Sequence, residues 1–312
     1  MIERIWYGNS QVKWLLWPFS LIYKLIMMTR SFLYQSKWLK SVSFDVPVIV
    51  VGNITVGGTG KTPFCIALCE LLKKQGLKPG LVSRGYGGKA TCWPQAVTAT
   101  SDPALVGDEP VLLVRHTQCP MVVAPDRVAA VQTLLTDYDC DVVVSDDGLQ
   151  HYRLARDIEI VLWDKKRRFG NGLCLPAGPL RETVNRLKAV DFIVNEDQVT
   201  LQFSPVCSLL DPHKTITPSD VSGMTVCALA GIANPNRFFD ALSELGFVFE
   251  RHIFKDHYAY QPSDFAALKA DIILMTEKDA VKCQAFCDER CYMLPIAVTL
   301  SDEFCQALLR KL

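Results

Sequence analysis

The segment Val48-Ile-Val-Val-Gly-Asn-Ile-Thr-Val-Gly-Gly-Thr-Gly-Lys-Thr-Pro63 constrains this chain more than any other. Val48 to Val51 is a β-branched run of the kind that forms a buried parallel strand. A turn dense in small residues follows, with Thr55, Gly57, Gly58, Thr59 and Gly60. Lys61 and Thr62 then open a helical pattern that continues from Phe64 to Lys74. Strand, glycine turn, Lys-Thr and helix, in that order, is the layout of a phosphate-binding loop. The glycines let backbone N–H groups close in on phosphate oxygens, and the helix N-terminus adds partial positive charge. Lys61 would neutralise the β- and γ-phosphates of a nucleotide, and the Thr62 hydroxyl would bind Mg²⁺. One position departs from the usual pattern: Thr55 stands where a first glycine is expected, leaving Gly57 and Gly58 to supply the flexibility. The bland alternative is an ordinary glycine-rich turn, which Gly-Lys-Thr directly after an apolar strand disfavours.

With 312 residues the chain is long enough for two α/β domains with cores of their own. Its 49% hydrophobic content and its 33 basic against 33 acidic side chains argue against disorder and against a global pull toward nucleic acid. Twelve cysteines are scattered through it, several inside apolar runs such as those of Cys65, Cys69 and Cys227. That usage reads as reduced, buried thiol in a cytosolic protein. Cys283, Cys287 and Cys291 lie four apart, as on one helical face, but the spacing fits no familiar zinc or iron–sulfur motif.

Residues 1–40 form a distinct region. They carry Arg4, Lys13, Lys24, Arg30, Lys37 and Lys40 against Glu3 alone, and also Trp6, Trp14, Trp17 and Trp38. Trp14 to Met28 is almost wholly apolar, yet shorter than the ~20 residues a membrane span needs. Lys13, Ser20, Lys24 and Ser31 fall on one stripe at about 100° per residue. The pattern predicts a helix in a membrane interface, apolar side down, started or kinked by Pro18 and attracted to anionic lipid. A core or dimer helix is the competing reading. A signal peptide is disfavoured because no small-residue cleavage site follows.

Further along, Pro79–Gly88 reads as a strand ending in a flexible loop, with Ser83 and Arg84 at the strand's C-terminal end, where open parallel sheets place ligands. Gly107-Asp-Glu-Pro110 sets Asp108 and Glu109 at a helix start, where simple capping is an equal alternative. Met121–Ala124 is a strand with Arg127 at its exit. Asp141-Val-Val-Val-Ser-Asp-Asp147 has the pattern of the strand whose terminal acid holds Mg²⁺, which makes Asp146 and Asp147 metal candidates. Gln150 and His151 turn away from it, and Arg181 sits in a proline-stiffened loop, Leu175–Glu182. After residue 221 the β–α rhythm restarts, with strands at 226–229, 247–254, 272–275 and 293–298. The expected organisation is therefore a membrane-interface helix over 1–40, a nucleotide-binding domain over 41–221 and a smaller α/β domain over 222–312.

Taken together, the motifs resemble the tetraacyldisaccharide 4'-kinase family of lipid A biosynthesis. The carrying stretches are Gly52–Pro63, Ser83-Arg-Gly-Tyr86, Gly107–Pro110, Asp146-Asp-Gly-Leu-Gln-His151, Pro176–Glu182, Ala230-Gly-Ile-Ala-Asn-Pro235, Asp256-His257 and Thr276-Glu-Lys-Asp279. Their occurrence together and in order is more specific than a phosphate loop alone, and the family's own loop also lacks the first glycine. The resemblance implies an α/β fold of the phosphate-loop nucleotide-binding kind, with a second α/β domain closing over ATP. It implies transfer of the γ-phosphate to the 4'-hydroxyl of a tetraacyldisaccharide 1-phosphate, at the cytoplasmic face of the bacterial inner membrane, without nucleic acid. By the same resemblance Asp108 is the base and His257 pairs with it, Lys61 and Mg²⁺ stabilise the transferring phosphoryl, and Asp146 and Asp147 fix the metal. Ser83, Arg84, Glu109, Arg127, Gln150, His151 and Arg181 are substrate or phosphate candidates, and Thr276–Asp279 is a candidate for contacting adenine.

Two other readings share parts of this pattern. A membrane-associated ATPase switch of the partitioning or targeting kind shares the phosphate loop, the acids and the basic helix, but not the Asp-Glu and Asp-His pairs. A dethiobiotin-synthase-like enzyme on a soluble metabolite shares the core but leaves the N-terminal helix unexplained.

Overall fold

The computed structural model describes residues 2–195 and 197–312. Two helices come first, α1 (Ile2–Trp6) and α2 (Val12–Gln35). A seven-stranded sheet is then built by β1 (Val48–Gly52), α3 (Lys61–Lys74), β2 (Pro79–Ser83), β3 (Gln95–Ala96), α4 (Pro103–Val106), α5 (Asp108–Thr117), β4 (Met121–Val123), α6 (Arg127–Asp137), β5 (Val142–Asp146), β6 (Ile158–Leu162) and β7 (Phe192–Val194). Its order is β3-β4-β2-β5-β1-β6-β7, parallel except for β3. Alternation along the strands explains the unbroken apolar runs. Ile49 and Val51 point to the layer of Phe64, Leu68 and Leu72, while Val48 and Val50 point to that of Val128, Val131 and Leu134. Both faces are covered, so both parities must be apolar.

The second half contributes β8 (Val199–Phe203), β9 (Val206–Ser208), β10 (Thr215–Ile216), β11 (Val226–Ala230), α7 (Pro235–Glu244), β12 (Glu250–Ile253), α8 (Pro262–Ala267), β13 (Ile272–Thr276), α9 (Glu277–Cys283), β14 (Cys291–Leu294), β15 (Ile296–Leu300) and α10 (Asp302–Leu309). A second sheet has the order β10-β9-β14-β13-β11-β12, parallel from β14 to β12. It has its own two-sided core, Phe238, Phe239 and Leu242 on one face and Tyr260, Phe265 and Ala280 on the other. Strands β9 and β10, before residue 222, pair into this second sheet.

The run 293–298, expected as one strand, is two. Pro295 separates β14, in the second sheet, from β15, which pairs antiparallel with β8 as a separate ribbon. Proline lacks the N–H that a continuous ladder would need. The strand expected at 247–254 is also shorter, covering Glu250–Ile253 alone. Beyond the ribbon, α10 returns to the first lobe. Phe304 packs edge-on against Phe64 and Phe192, and Leu308 is fully buried in the same core.

Helix α2 begins well before Pro18, which lies inside it and does not start it. Leu16, Ser20, Tyr23, Met27 and Tyr34, at helical spacing, face the protein and are at least partly buried. The Ser20 hydroxyl donates to the Cys174 carbonyl at 2.6 Å and accepts from the Ala177 N–H at 2.9 Å. Tyr23 donates to the Arg181 carbonyl at 3.1 Å. The opposite face is apolar and bare: Leu15 is 75% exposed, Leu25 66% and Phe32 65%. Among the described residues no helix is long and apolar enough to cross a membrane.

Candidate active site

Two sites converge where the lobes meet, and the first belongs wholly to the seven-stranded sheet. The loop between β1 and α3 needs backbone that only glycine adopts easily: Gly57 has φ +122° and Gly60, the residue before α3, has φ +81°. Asn53 braces the loop by donating to the Gly57 carbonyl at 3.4 Å and the Thr59 hydroxyl at 3.2 Å. From behind, Val56 donates to the Pro179 carbonyl, Arg181 donates to the Ile54 carbonyl, and Thr55 bridges Leu180. Lys61 Nζ stands 3.4 Å from Asn53 Oδ1 and 3.5 Å from Asp147 Oδ1. Thr62 follows it in the first turn of α3.

Asp146 and Asp147 are neighbours in sequence with opposite electrostatics. Asp146 ends β5 fully buried, and its Oδ2 has no hydrogen-bond partner. Burial and then the Glu109 carboxylate push it well above the usual carboxylate range, with Lys61 opposing only in part. Asp147 turns off the strand with φ +48°, an uncommon conformation for a residue with a side chain. Burial alone would raise it, but Lys61 and Arg181 outweigh burial and hold it at about 2. Arg181 Nη1 lies 3.0 Å from both Asp147 oxygens. An orphaned, buried carboxylate oxygen with its charge disfavoured is what a divalent cation would satisfy, so these residues fit Mg²⁺.

The remaining candidates from the sequence fall into two groups. Arg127 is 3% exposed, donating to the Ala124 carbonyl at 3.0 Å and the Asp147 carbonyl at 3.4 Å, and burial lowers its guanidinium to about 10. It supports the Asp147 turn from beneath. His151 Nε2 accepts from the Arg127 N–H at 3.3 Å, and burial, then the Arg127 charge, hold the imidazole down at about 4. Gln150 donates to the Asn53 carbonyl at 3.1 Å and to Glu182 at 2.8 Å, linking the phosphate loop to the loop of Arg181. Ser83 is buried at the end of β2, whereas Arg84 next to it is exposed.

The second site forms between the lobes. Asp108, the first residue of α5, is 4% exposed. His257, from the loop after β12, places Nδ1 3.1 Å from Asp108 Oδ2. Its φ of +56° is held by donation of its N–H to the Gly231 carbonyl, and Tyr86 stacks edge-on against its ring at 5.0 Å. Lys278 Nζ, on α9, lies 3.3 Å from His257 Nε2 and 2.9 Å from Glu109 Oε1. Burial would lower the Lys278 ammonium, but Glu109, Asp108 and Asp256 together raise it. A charged Lys278 donating to Nε2 leaves the Nδ1 proton facing Asp108. Burial would raise Asp108, but the His257 hydrogen bond and the Lys278 and Lys282 charges hold it below the usual carboxylate range. The result is an ionised acceptor whose proton-donating neighbours come from the opposite lobe.

Lys278 and Lys282 were not singled out as site residues in the sequence. Their signal was the stretch Thr276-Glu-Lys-Asp-Ala-Val-Lys282, whose first four residues are the adenine candidates; it lies at the interlobe contact, with Lys278 against Glu109 and Lys282 near Asp108. Thr276 caps α9 by accepting from the Asp279 N–H, the Asp279 carboxylate accepts from the Thr276 hydroxyl and the Gly231 N–H, and Glu277 pairs with His116 of α5 at 2.5 Å. A cavity of about 220 Å³ opens beside the phosphate loop, lined by Thr59, Phe64, Trp163, Asn195 and Arg237 among others. Cys283, Cys287 and Cys291 do not share a helical face: α9 ends at Cys283 and Cys291 begins β14.

The model of the family described as "Tetraacyldisaccharide-1-P 4'-kinase" matches residues 12–312. A tetraacyldisaccharide 4'-kinase of Coxiella burnetii is 49% identical over 302 residues, 96% of this chain and 92% of its own length. One from Hahella chejuensis is 45% identical over 321 residues, 97% and 94%. A crystal structure of LpxK from Aquifex aeolicus in complex with ATP superposes with a TM-score of 0.82 at 29% identity, covering 96% of this chain and 99% of that one.

Proposed function

This chain belongs to the tetraacyldisaccharide-1-P 4'-kinase family, and from that premise we propose how its residues carry out the reaction. It is an ATP-dependent kinase of lipid A biosynthesis. It moves the γ-phosphate of ATP to the 4'-hydroxyl of a tetraacyldisaccharide 1-phosphate. The observation that carries the mechanism is the 3.1 Å contact between Asp108 and His257, joined across two lobes beside a phosphate loop.

A sugar hydroxyl is a weak nucleophile until its proton has an acceptor. Ionised Asp108 takes that proton. His257 donates its Nδ1 proton to the carboxylate and so orients it, and Lys278, donating to Nε2, fixes the tautomer that makes this possible. Thr55, Gly57, Gly58, Thr59 and Gly60 shape the phosphate cradle, and Lys61 places positive charge against the transferring phosphoryl group. Thr62, Asp146 and Asp147 would hold Mg²⁺, which supplies charge neutralisation on the phosphate oxygens when bound. Arg181 positions Asp147, and exposed Arg84 remains open to a substrate phosphate. The cavity lined by Thr59, Phe64 and Trp163 suits the apolar faces of a nucleoside.

The two lobes, 41–221 and 222–312 apart from the segments that cross between them, close over the nucleotide and exclude water. The bare face of α2, with the basic residues of 1–40, sets the enzyme on the cytoplasmic surface of the inner membrane as a peripheral protein. A second cavity of about 460 Å³, between Trp17, Ser20 and Lys24 of α2 and the loop of Leu173, Leu180 and Thr183, then faces the acyl chains. The comparisons lend no support to the ATPase-switch reading.

The test is incubation with labelled ATP, Mg²⁺ and tetraacyldisaccharide 1-phosphate in detergent, followed by chromatography of the lipid. Label should move to the disaccharide in the wild type. Lipid-independent ATP hydrolysis without labelled lipid would overturn the reading. Replacing Leu15 and Leu25 by Asp should release the protein from anionic vesicles, and unchanged vesicle binding would refute the membrane-surface assignment.

A further inference from the structure

Strands β11 and β12 are parallel neighbours, with Cys227 opposite Glu250 and Leu229 opposite His252. Side chains two apart on a strand share a face, so Glu250 and His252 emerge on the same side of β12. Cys227 joins them from β11. Its Sγ lies 3.5 Å from His252 Nε2, and that nitrogen lies 3.4 Å from Glu250 Oε1. One ligand atom from each of the three lies within 4.8 Å of the other two, and among the described residues no other group of three such side chains does so.

We infer that Cys227, Glu250 and His252 form a binding site for a divalent transition-metal ion of zinc's chemical class. A tetrahedral zinc ion with sulfur at about 2.3 Å and nitrogen and oxygen at about 2.05 Å separates its ligands by about 3.6 Å and about 3.3 Å. The observed spacings already match both. The donor set is a thiolate, an imidazole and a carboxylate, which suits zinc, cobalt(II) or nickel(II) better than Mg²⁺. Burial is graded, with Cys227 5% exposed, His252 partly buried and Glu250 exposed, so the fourth position opens to solvent. Burial, then Glu250, raise the Cys227 thiol, so metal binding replaces the thiol proton and releases it to solvent. A thiol–imidazole hydrogen bond would account for the first spacing alone. It would not require a carboxylate on the same nitrogen.

The placement gives the site a consequence. β11 ends at Ala230, next to the Gly231 carbonyl that accepts from the His257 N–H. β12 ends four residues before His257. An ion bridging the two strands fixes the edge strand of the second sheet at the base of both segments that hold that histidine.

Cobalt(II) titration of the full-length protein under a phosphine reductant tests this. One equivalent should produce a thiolate-to-cobalt charge-transfer band, displaced one-for-one by zinc and unaffected by excess Mg²⁺. Cys227→Ser should lose the band, and His252→Gln should weaken affinity by about 100-fold or more, since even outer-shell partners cost about 10–100-fold. Circular dichroism establishes that each variant is folded. Zinc should raise the Tm of the wild type and leave that of Cys227→Ser unmoved. No band in the wild type, a band that survives in Cys227→Ser, or a zinc shift shared by both proteins would overturn the assignment.

Discussion

Two acidic pairs serve this site, and they are built in opposite ways. Asp146 and Asp147 take their partners from the first lobe: Lys61, Arg181 and Arg127. Asp108 and Glu109 lie on the same lobe but take theirs from the other: His257, Lys278 and Lys282. Separating the lobes would leave the first pair intact and strip the second. In the proposed mechanism phosphate binding can therefore precede closure, whereas an oriented base exists only after it. That proposed order would protect ATP from water until the lipid hydroxyl is in place.

The largest test of this contrast is Asp108→Asn. It should lower kcat by about 10³-fold, within the range for a lost general base, while the Kd for ATP changes by no more than about twofold. A comparable loss of ATP affinity would erase the distinction between the pairs. Lys61→Ala should lower kcat by about 10²-fold and weaken ATP binding as well, because its charge acts within one lobe. Isothermal titration with ATP separates these two outcomes.

Lys278→Met should cost about 10-fold in kcat and also move the pH profile. Lys278 helps hold Asp108 below the usual carboxylate range, so removing it lets that carboxyl rise. The acidic limb of kcat/KM must then shift to higher pH; a shift to lower pH, or none, would contradict the network. The smallest effect belongs to His116→Asn. The Glu277 hydrogen bond raises His116, so this link between α5 and α9 is complete below the unfolded imidazole value and is lost as pH rises through the raised one. Because His116 is exposed, the wild type should exceed the variant by only about 0.5 kcal/mol in mildly acidic solution, with the gap closing toward alkaline pH.

The first lobe was legible because its chemistry is local. Gly57 through Thr62 and the acids after Val142–Ser145 are contiguous, and each motif sits at a strand end whose apolar run announces it. The second lobe was legible as βα alternation, but its contribution to the site was not. Lys278 acts through residues about 20 and 170 positions away, and nothing in its own neighbourhood marks that reach. Arg127 shows the converse: an arginine after a strand reads as a ligand group, and the sequence does not show that it is buried and donates to two backbone carbonyls. The amphipathic stripe of α2 was visible in sequence, but its polar members turned out to anchor the helix through Ser20, leaving the greasy side outward.

The return of residues 296–309 to the first lobe bears on how the protein is made. A ribosome that has already delivered the phosphate loop, the metal acids and the whole seven-stranded sheet has not yet delivered Phe304 and Leu308, which seal the flank of α3 behind Phe64. Early-finishing vectorial folding, the usual advantage of an N-terminal lobe, is thus withheld from this one. A nascent chain halted before residue 296 would carry an unsealed apolar flank, a natural target for chaperones.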